Sequence, residues 1–406
     1  MSGRRLKPSG VDWLGDVPEG WKVVRGKDVL SLKSAVKGEG RKIGLENIEG
    51  HTGRFIETDT EYDGSGAAFE VGDIIYGKLR PYLCKVWIAE FLGSAVGDFY
   101  VYSLKGNHYN RYYLYWMLSN VFTSLCNAST SGTKMPRVSS QFIDALPIPI
   151  PPLPEQRAIA DYLDRKCGEI DGRVEILEKK LSCLKRLKKS VINRAVTRGV
   201  PGKGEARKLK PSGVDWLGDV PEEWGVVRGK DVLLLKSAVK GEGRKIGLEN
   251  IEGFTGRFID TATEYDGNGA AFEVGDIIYG KLRPYLCKVW IAEFLGSAVG
   301  DFYVYSLKGN NCNRYYLYWM LSDVFTSLCN ASTSGTKMPR VSSQFIDALP
   351  TPIPPLPEQR EIADYLDRKC AEIDAVAAKV EKEIDLYKRL KKSLINEVVT
   401  GKREVA

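Results

Sequence analysis

Leu146-Pro-Ile-Pro-Ile-Pro-Pro-Leu-Pro-Glu-Gln156 is the stretch at which this sequence changes character. Proline fixes φ and lacks a backbone donor, so the run reads as an extended segment that can continue neither a strand nor a helix. Beyond it, Leu163, Ile170, Leu177, Leu184 and Val191 recur every seven residues, and Cys167, Val174 and Leu181 fill a second apolar position. Two apolar positions per heptad make a coiled-coil seam. The stretch therefore predicts a folded domain over 1–152 and a long helix over 153–198.

Working outward, the same order recurs. Shifting the sequence by 203 positions superimposes residues 6–197 on 209–400 without a gap, so the chain is a tandem duplication. The second proline run precedes a second seam of Leu366, Ile373, Val380, Tyr387 and Leu394, with Cys370, Ala377 and Ile384 in the other position. The implied organisation is a linker over 199–208, a second domain over 209–355, a second helix over 356–400 and a tail over 401–406. Residues 6–157 differ from 209–360 at 11 of 152 positions, whereas 158–197 differ from 361–400 at 16 of 40. The two parts of each copy are under different demands.

Within the globular part, 72–80 and 98–104 are β-rich and 110–119 is helical. The fold class predicted is α+β: two mixed domains joined by two long helices. A helix of roughly 40 residues spans about 60 Å, while the 198–208 connection reaches at most about 40 Å. The second helix most simply runs back along the first, giving an antiparallel coiled coil with pseudo-two-fold internal symmetry.

Composition excludes several classes. No run of about 18 apolar residues could span a bilayer, and no apolar stretch follows the N-terminal charges, which predicts a cytoplasmic protein without a membrane partner. The eight cysteines form no C-x-x-C pair and only His51 and His108 are available as imidazoles, so no metal site is expected and the cysteines are read as buried thiols. A phosphate-cradling G-x-x-x-x-G-K-[ST] loop, a G-x-G-x-x-G turn, an Asn-Pro-Pro-aromatic tetrapeptide and a G-x-S-x-G elbow are all missing. Both histidines lie in the first copy, which rules out a duplicated histidine-based site. No catalytic residue and no cofactor are expected in this chain.

A set of basic and amide side chains in glycine-punctuated loops remains. In the first copy these are Lys33, Lys37, Arg41, Lys42, Asn47, Lys78, Arg80, Thr133, Lys134 and Arg137. Their counterparts are Lys236, Lys240, Arg244, Lys245, Asn250, Lys281, Arg283, Thr336, Lys337 and Arg340. Arginine and asparagine can read guanine and adenine edges bidentately, while lysine mostly positions phosphates, so double-stranded DNA is the expected ligand. The net charge of +7 permits a polyanion without demanding one. The clusters Lys185, Arg186, Lys188, Lys189 and Lys388, Arg389, Lys391, Lys392 are read as cations offsetting the helix macrodipole.

Taken together, Trp13-Leu-Gly-Asp-Val-Pro-Glu-Gly-Trp21, Gly72-Asp-Ile-Ile-Tyr-Gly-Lys-Leu-Arg80, Ser131-Gly-Thr-Lys-Met-Pro136 and the proline run before a long helix resemble the specificity subunits of type I restriction-modification systems, over essentially the whole length. The resemblance implies two target-recognition domains, each reading half of a split DNA site, with a helical ruler between them. It also implies assembly with two methyltransferase subunits, which carry S-adenosylmethionine, and with restriction and translocase subunits, which use ATP and magnesium. In that family the recognition domains usually differ and the helices are alike; here the recognition domains are the more similar part. Like readers imply like half-sites in inverted orientation, an interrupted palindrome. A stand-alone DNA-binding regulator, the specificity subunit of a related methyltransferase-nuclease system and a coiled-coil scaffold are the alternatives that share some of these features.

Overall fold

The computed structural model describes residues 4–34, 40–130, 132, 134–202, 207–237, 243–333 and 337–405. Two compact units emerge: residues up to Glu178 together with those from Lys382 onward, and residues 179–381. Each unit thus holds one globular domain, part of the helix that follows it and part of the other long helix.

In the first unit, the domain opens with a hairpin of Leu6–Pro8 against Asp16–Pro18. A four-stranded antiparallel sheet follows in the order Leu30–Leu32, Phe99–Leu104, Ile74–Gly77, Val86–Ile88. All four residues of Ile74–Gly77 are buried, which explains its continuous apolar run: a central strand covered on both faces needs no polar alternation. A smaller sheet places Gly93–Val96 between Arg41–Ile43, to which it is parallel, and Gly66–Phe69. The expected helical stretch folds as Asn110–Leu118 and breaks at Ser119, whose hydroxyl accepts from the Phe122 N–H and starts the next helix, Asn120–Ala128.

The proline run behaves differently from its reading as mere punctuation. Pro147–Ile150 pairs as an antiparallel strand with Lys22–Arg25, an edge arrangement that proline tolerates because the missing donors face away from the ladder. The long helix then starts at Leu153 and continues to Arg198, with Pro154 in its first turn where a missing N–H costs nothing. Gly199, at φ +86°, ends it in the left-handed conformation that favours glycine. The second unit repeats every element, from Leu209–Pro211 to the helix Leu356–Val399.

The two long helices pack antiparallel inside each unit. In the first, Lys391 bonds Asp171 at 2.8 Å and Lys388 meets Glu178 at 3.0 Å, so ascending positions on one helix meet descending positions on the other. In the second, Lys188 bonds Asp374 at 2.9 Å. Along the seam Leu163, Ile170, Val174, Leu366, Val380 and Ile384 are buried, and Leu177, Leu181, Leu184, Ile373 and Tyr387 are half-buried. Off the seam, Ile176, Leu187, Leu386 and Leu390 are about half exposed or more. The buried and half-buried positions follow the heptad spacing.

The lysine clusters, by contrast, do not serve the macrodipole. The helix runs on from Lys188 to Arg198, and the dipole's field acts only within the last turn. Lys188, Lys388 and Lys391 instead hold carboxylates on the facing helix, and Lys189 pairs with Asp323.

The helices are part of the domain cores rather than appendages. In the second unit Ile192, Ala195, Val196, Ile362, Leu366 and Cys370 join Trp224, Tyr315 and Trp319 in one core. A second, smaller core lies under the three-stranded sheet, built from Ile43, Ile48, Phe69, Ile75, Trp87 and Val101 in the first unit and from their counterparts in the second. Six of the eight cysteines are buried; Cys312 is half-buried and Cys183 is exposed.

Candidate nucleic-acid interface

Lys78 and Arg80 leave the buried strand Ile74–Gly77, and the 134–138 segment lies alongside them. The Lys78 N–H donates to the Asp98 carbonyl at 2.9 Å, the Val138 N–H donates to the Lys78 carbonyl at 3.2 Å, and the Arg80 N–H donates to the Pro136 carbonyl at 2.7 Å. Leu79 and Arg137 form an isolated antiparallel bridge. Residues more than fifty positions apart are thereby brought to one surface, and their backbones are fixed by hydrogen bonds.

The side chains on this surface have distinct states. Arg137 clamps Asp98 with two parallel bonds of 2.8 and 2.9 Å, which hold the Asp98 carboxyl below the usual carboxylate range. The Lys78 ammonium lies 5.1 Å from the centre of the Tyr100 ring, and the Tyr100 hydroxyl donates to the Val138 carbonyl. Arg80 sits at φ +50°, an uncommon conformation for a side chain of its size, at the entry to the short helical turn Pro81–Leu83. Among the described residues its guanidinium has no ion-pair partner, and it is exposed. Lys134, on the 134–138 segment, is exposed as well.

The second unit repeats the arrangement: Lys281 to Asp301 at 2.9 Å, Arg283 to Pro339 at 2.7 Å, and Arg340 on Asp301 at 2.8 and 2.9 Å. None of the 11 substitutions between the domains falls on these residues.

Other predicted residues are placed elsewhere or already engaged. Arg41 lies over Phe55 and Phe91, at 5.0 and 5.3 Å from the ring centres, and is paired with Glu57. Arg244 does the same with Phe258, Phe294 and Asp260. Lys42 and Lys245 stay exposed on the adjoining strand position. Lys33 is bound to Asp73 at 2.7 Å and Glu70 at 2.9 Å; burial opposes its charge, but these carboxylates outweigh burial and raise its pKa. Lys236 is held in the same way by Asp276 and Glu273.

Asn47 is buried, its amide oxygen accepting from the Gly44 N–H and its amide nitrogen donating to the Ile56 carbonyl and the Thr58 hydroxyl. Asn250 repeats this with Gly247, Ile259 and Thr261. An amide so committed presents no edge to a base, and both asparagines serve the loop instead. Lys37, Thr133, Lys240 and Thr336 lie outside the described residues.

The structure adds residues that residue type alone did not suggest. Tyr82 and Met135 are 46% and 49% exposed beside Arg80 and Lys134, and Tyr285 and Met338 are 45% and 49% exposed in the second unit. Large apolar side chains left out of a core in both copies suit contact with a base face or a thymine methyl. The signal was in the sequence, since Met135 adjoins Lys134 and Tyr82 stands two positions after Arg80, but only exposure separates them from core residues.

Among the described residues no group of histidine, cysteine, aspartate or glutamate side chains is arranged to hold a metal ion, and no helix is long and apolar enough to cross a membrane.

Comparison with known proteins agrees with this architecture. Residues 18–185 and 221–385 each match the family described as type I restriction modification DNA specificity domain. The chain is 24% identical to the type I restriction enzyme EcoDI specificity subunit of Escherichia coli, over 95% of this chain and 89% of that protein. It is 25% identical to the MjaVIII specificity subunit of Methanocaldococcus jannaschii, over 96% and 94%. In fold it is similar, at a TM-score of 0.73 and 18% identity, to a chain solved in work on complex assembly and conformational transition of the type I R-M system, covering 95% of this chain and 99% of that one. The HsdS subunit from Thermoanaerobacter tengcongensis superimposes at a TM-score of 0.53 and 16% identity, over 95% and 98%. With a specificity domain in each half and both long helices in place, the chain belongs to the type I restriction-modification DNA specificity family and is a specificity subunit of such a system.

Proposed function

We propose that this subunit carries no active site of its own and reads an interrupted palindrome, one half-site per recognition domain, through the surface formed by Lys78, Arg80, Lys134 and Arg137 and its counterpart formed by Lys281, Arg283, Lys337 and Arg340. The observation that carries this reading is the duplication of that surface: the same residues and the same backbone bonds, alike to within 0.1 Å, recur in both units. Readers built alike recognise like half-sites. Arg80 and Arg283, exposed and unpaired among the described residues, are the groups best placed to contact a guanine edge, with Lys78, Lys134 and their counterparts on phosphates. Lys42 and Lys245 extend the phosphate contacts along the neighbouring sheet.

The partners in this reading are double-stranded DNA, two methyltransferase subunits that hold S-adenosylmethionine, and restriction subunits that use ATP and magnesium. This chain supplies address rather than chemistry. Co-expression with the neighbouring methyltransferase gene, in a host without other adenine methylation, followed by single-molecule mapping of N6-methyladenine, tests it. The expected product is one motif made of two inverted halves around a fixed gap. An asymmetric bipartite motif would refute the shared half-site, and unmodified DNA with a soluble assembled complex would refute the reading as a whole.

A further inference from the structure

Each recognition domain carries one turn that touches both the long helices and the candidate reading surface. In the first unit this is the 49–54 turn. The His51 N–H donates to the Cys84 carbonyl at 2.9 Å, and Gly50 packs so closely on the Leu83 carbonyl that an added Cβ would sit 2.5 Å from it. Leu83 and Cys84 close the short turn that Arg80 opens. On its other side, Arg54 bonds Asp171 at 3.0 Å, and the same carboxylate holds Lys391 at 2.8 Å. One aspartate therefore ties the turn, the first long helix and the second long helix together. The second unit repeats the junction with Arg257, Asp374 and Lys188, at 3.2 and 2.9 Å.

The two junctions are not equal. In the second unit, Lys189 is sandwiched between Asp323 at 3.1 Å and the ring of Phe254, whose centre is 4.9 Å away. Two of the 11 substitutions remove this clamp from the first unit: Asp323 is replaced by Asn120, and Phe254 by His51, which faces Lys391 and Lys392. The helix flanking the shared aspartate differs as well. Asp171 lies between Gly168 and Gly172, whereas Asp374 lies between Ala371 and Ala375. Helical glycine leaves the backbone freer than alanine does. A cavity of about 350 Å³ opens beneath the first turn, lined by Arg54, Arg111, Tyr115, Gly168 and Lys391 among others.

We infer that the 49–54 and 252–257 turns are struts that fix each reading surface to the helix pair, with Asp171 and Asp374 as positioning residues. The first strut is the more compliant, so any tolerance in half-site spacing resides in the first domain. The inference rests on the reading surface proposed above, but its structural half does not.

The test uses the full chain and the methyltransferase complex. In Arg54→Ala and Asp171→Asn, hydrogen exchange should quicken at least five-fold in both 49–54 and 80–84, with 252–257 and 283–287 unchanged. Arg54→Lys, which keeps the ion pair, should restore protection. Arg257→Ala should produce a smaller increase, because Phe254, Lys189 and Asp323 remain. Exchange confined to 49–54, or equal effects of Arg54→Ala and Arg257→Ala, overturns the strut or its asymmetry without reference to DNA. In methylation maps, Arg54→Ala should raise the share of modified sites whose gap is one base pair longer or shorter, and His51→Phe with Asn120→Asp should suppress it. An unchanged gap distribution alongside loosened exchange overturns the link to spacing. If wild type yields no motif, the DNA reading fails while the exchange result still decides the strut.

Discussion

At the residue scale, the buried cysteines show how position sets reactivity. Burial pushes the thiols of Cys84, Cys167, Cys287 and Cys370 up to about 11, and those of Cys126 and Cys329 up to about 12. A thiol that stays protonated is a poor nucleophile, so these six behave as small apolar side chains. Cys183 is exposed, so a reagent reaches its sulfur directly. Mass-resolved labelling with a thiol reagent at neutral pH should modify Cys183 first, leave the six buried cysteines unmodified until unfolding, and lose its fast phase in Cys183→Ser. The same shifts set a direction for alkaline stability. The folded pKa lies above the unfolded value of about 8.5, so below that pH both states hold the proton and stability is complete. As pH rises towards 11 the unfolded chain releases protons that the folded chain keeps, and stability falls, by at most about 1.4 kcal/mol per pH unit for each thiol. Thermal melts between pH 7.5 and 10.5 should show a monotonic decline that shrinks in Cys84→Ala with Cys287→Ala; a flat profile would count against burial as the cause.

At the element scale, what was readable from sequence was whatever local periodicity encodes. The heptads gave the two long helices and their contact line, because a seam is a property of spacing along one chain. The apolar run before Lys78 marked a buried strand for the same reason. Partners set by tertiary structure were not readable in this way. Lys391 finds Asp171 at 220 positions' separation, and no feature near Lys391 announces that carboxylate, so its cluster read as helix-end charge. Asn47 read as a base-reading amide because its acceptors at Ile56 and Thr58 lie across a turn whose closure only the fold reveals. The first helix also retains a removable weakness. A Cβ added at Gly168 or Gly172 meets nothing within 4 Å, so alanine brings its helix preference without a steric cost. Gly168→Ala and Gly172→Ala should each stabilise the protein by about 0.5–1 kcal/mol in denaturant melts, while the reverse changes Ala371→Gly and Ala375→Gly should destabilise it by similar amounts. Unaltered midpoints would mean that this stretch is not helical in solution.

At the scale of the whole molecule, duplication makes the two reading surfaces internal controls for each other. Eleven substitutions separate the domains: at Gly20, Lys22 and Ser31 after the first hairpin, at His51, in the 57–65 loop, at His108, Tyr109 and Asn120 around the helix Asn110–Leu118, and at the core position Ile148/Thr351; Lys78, Arg80, Lys134 and Arg137 are untouched. If function follows that surface, Arg80→Ala and Arg283→Ala should weaken binding to the complete site equally. Each should cost about 1–3 kcal/mol if its guanidinium reads a base, and should relax base preference at one position of one half-site. Lys78→Ala and Lys281→Ala should instead weaken binding to all sequences and each reduce the salt slope by about one. Equal losses on inverted halves would show that the domains are the same reader used twice. A loss confined to Arg80→Ala, with Arg283→Ala at wild-type affinity, would place the effective difference among the 11 substitutions and make the 57–65 loop, where Glu57, Asp59 and Ser65 become Asp260, Ala262 and Asn268, the next region to exchange.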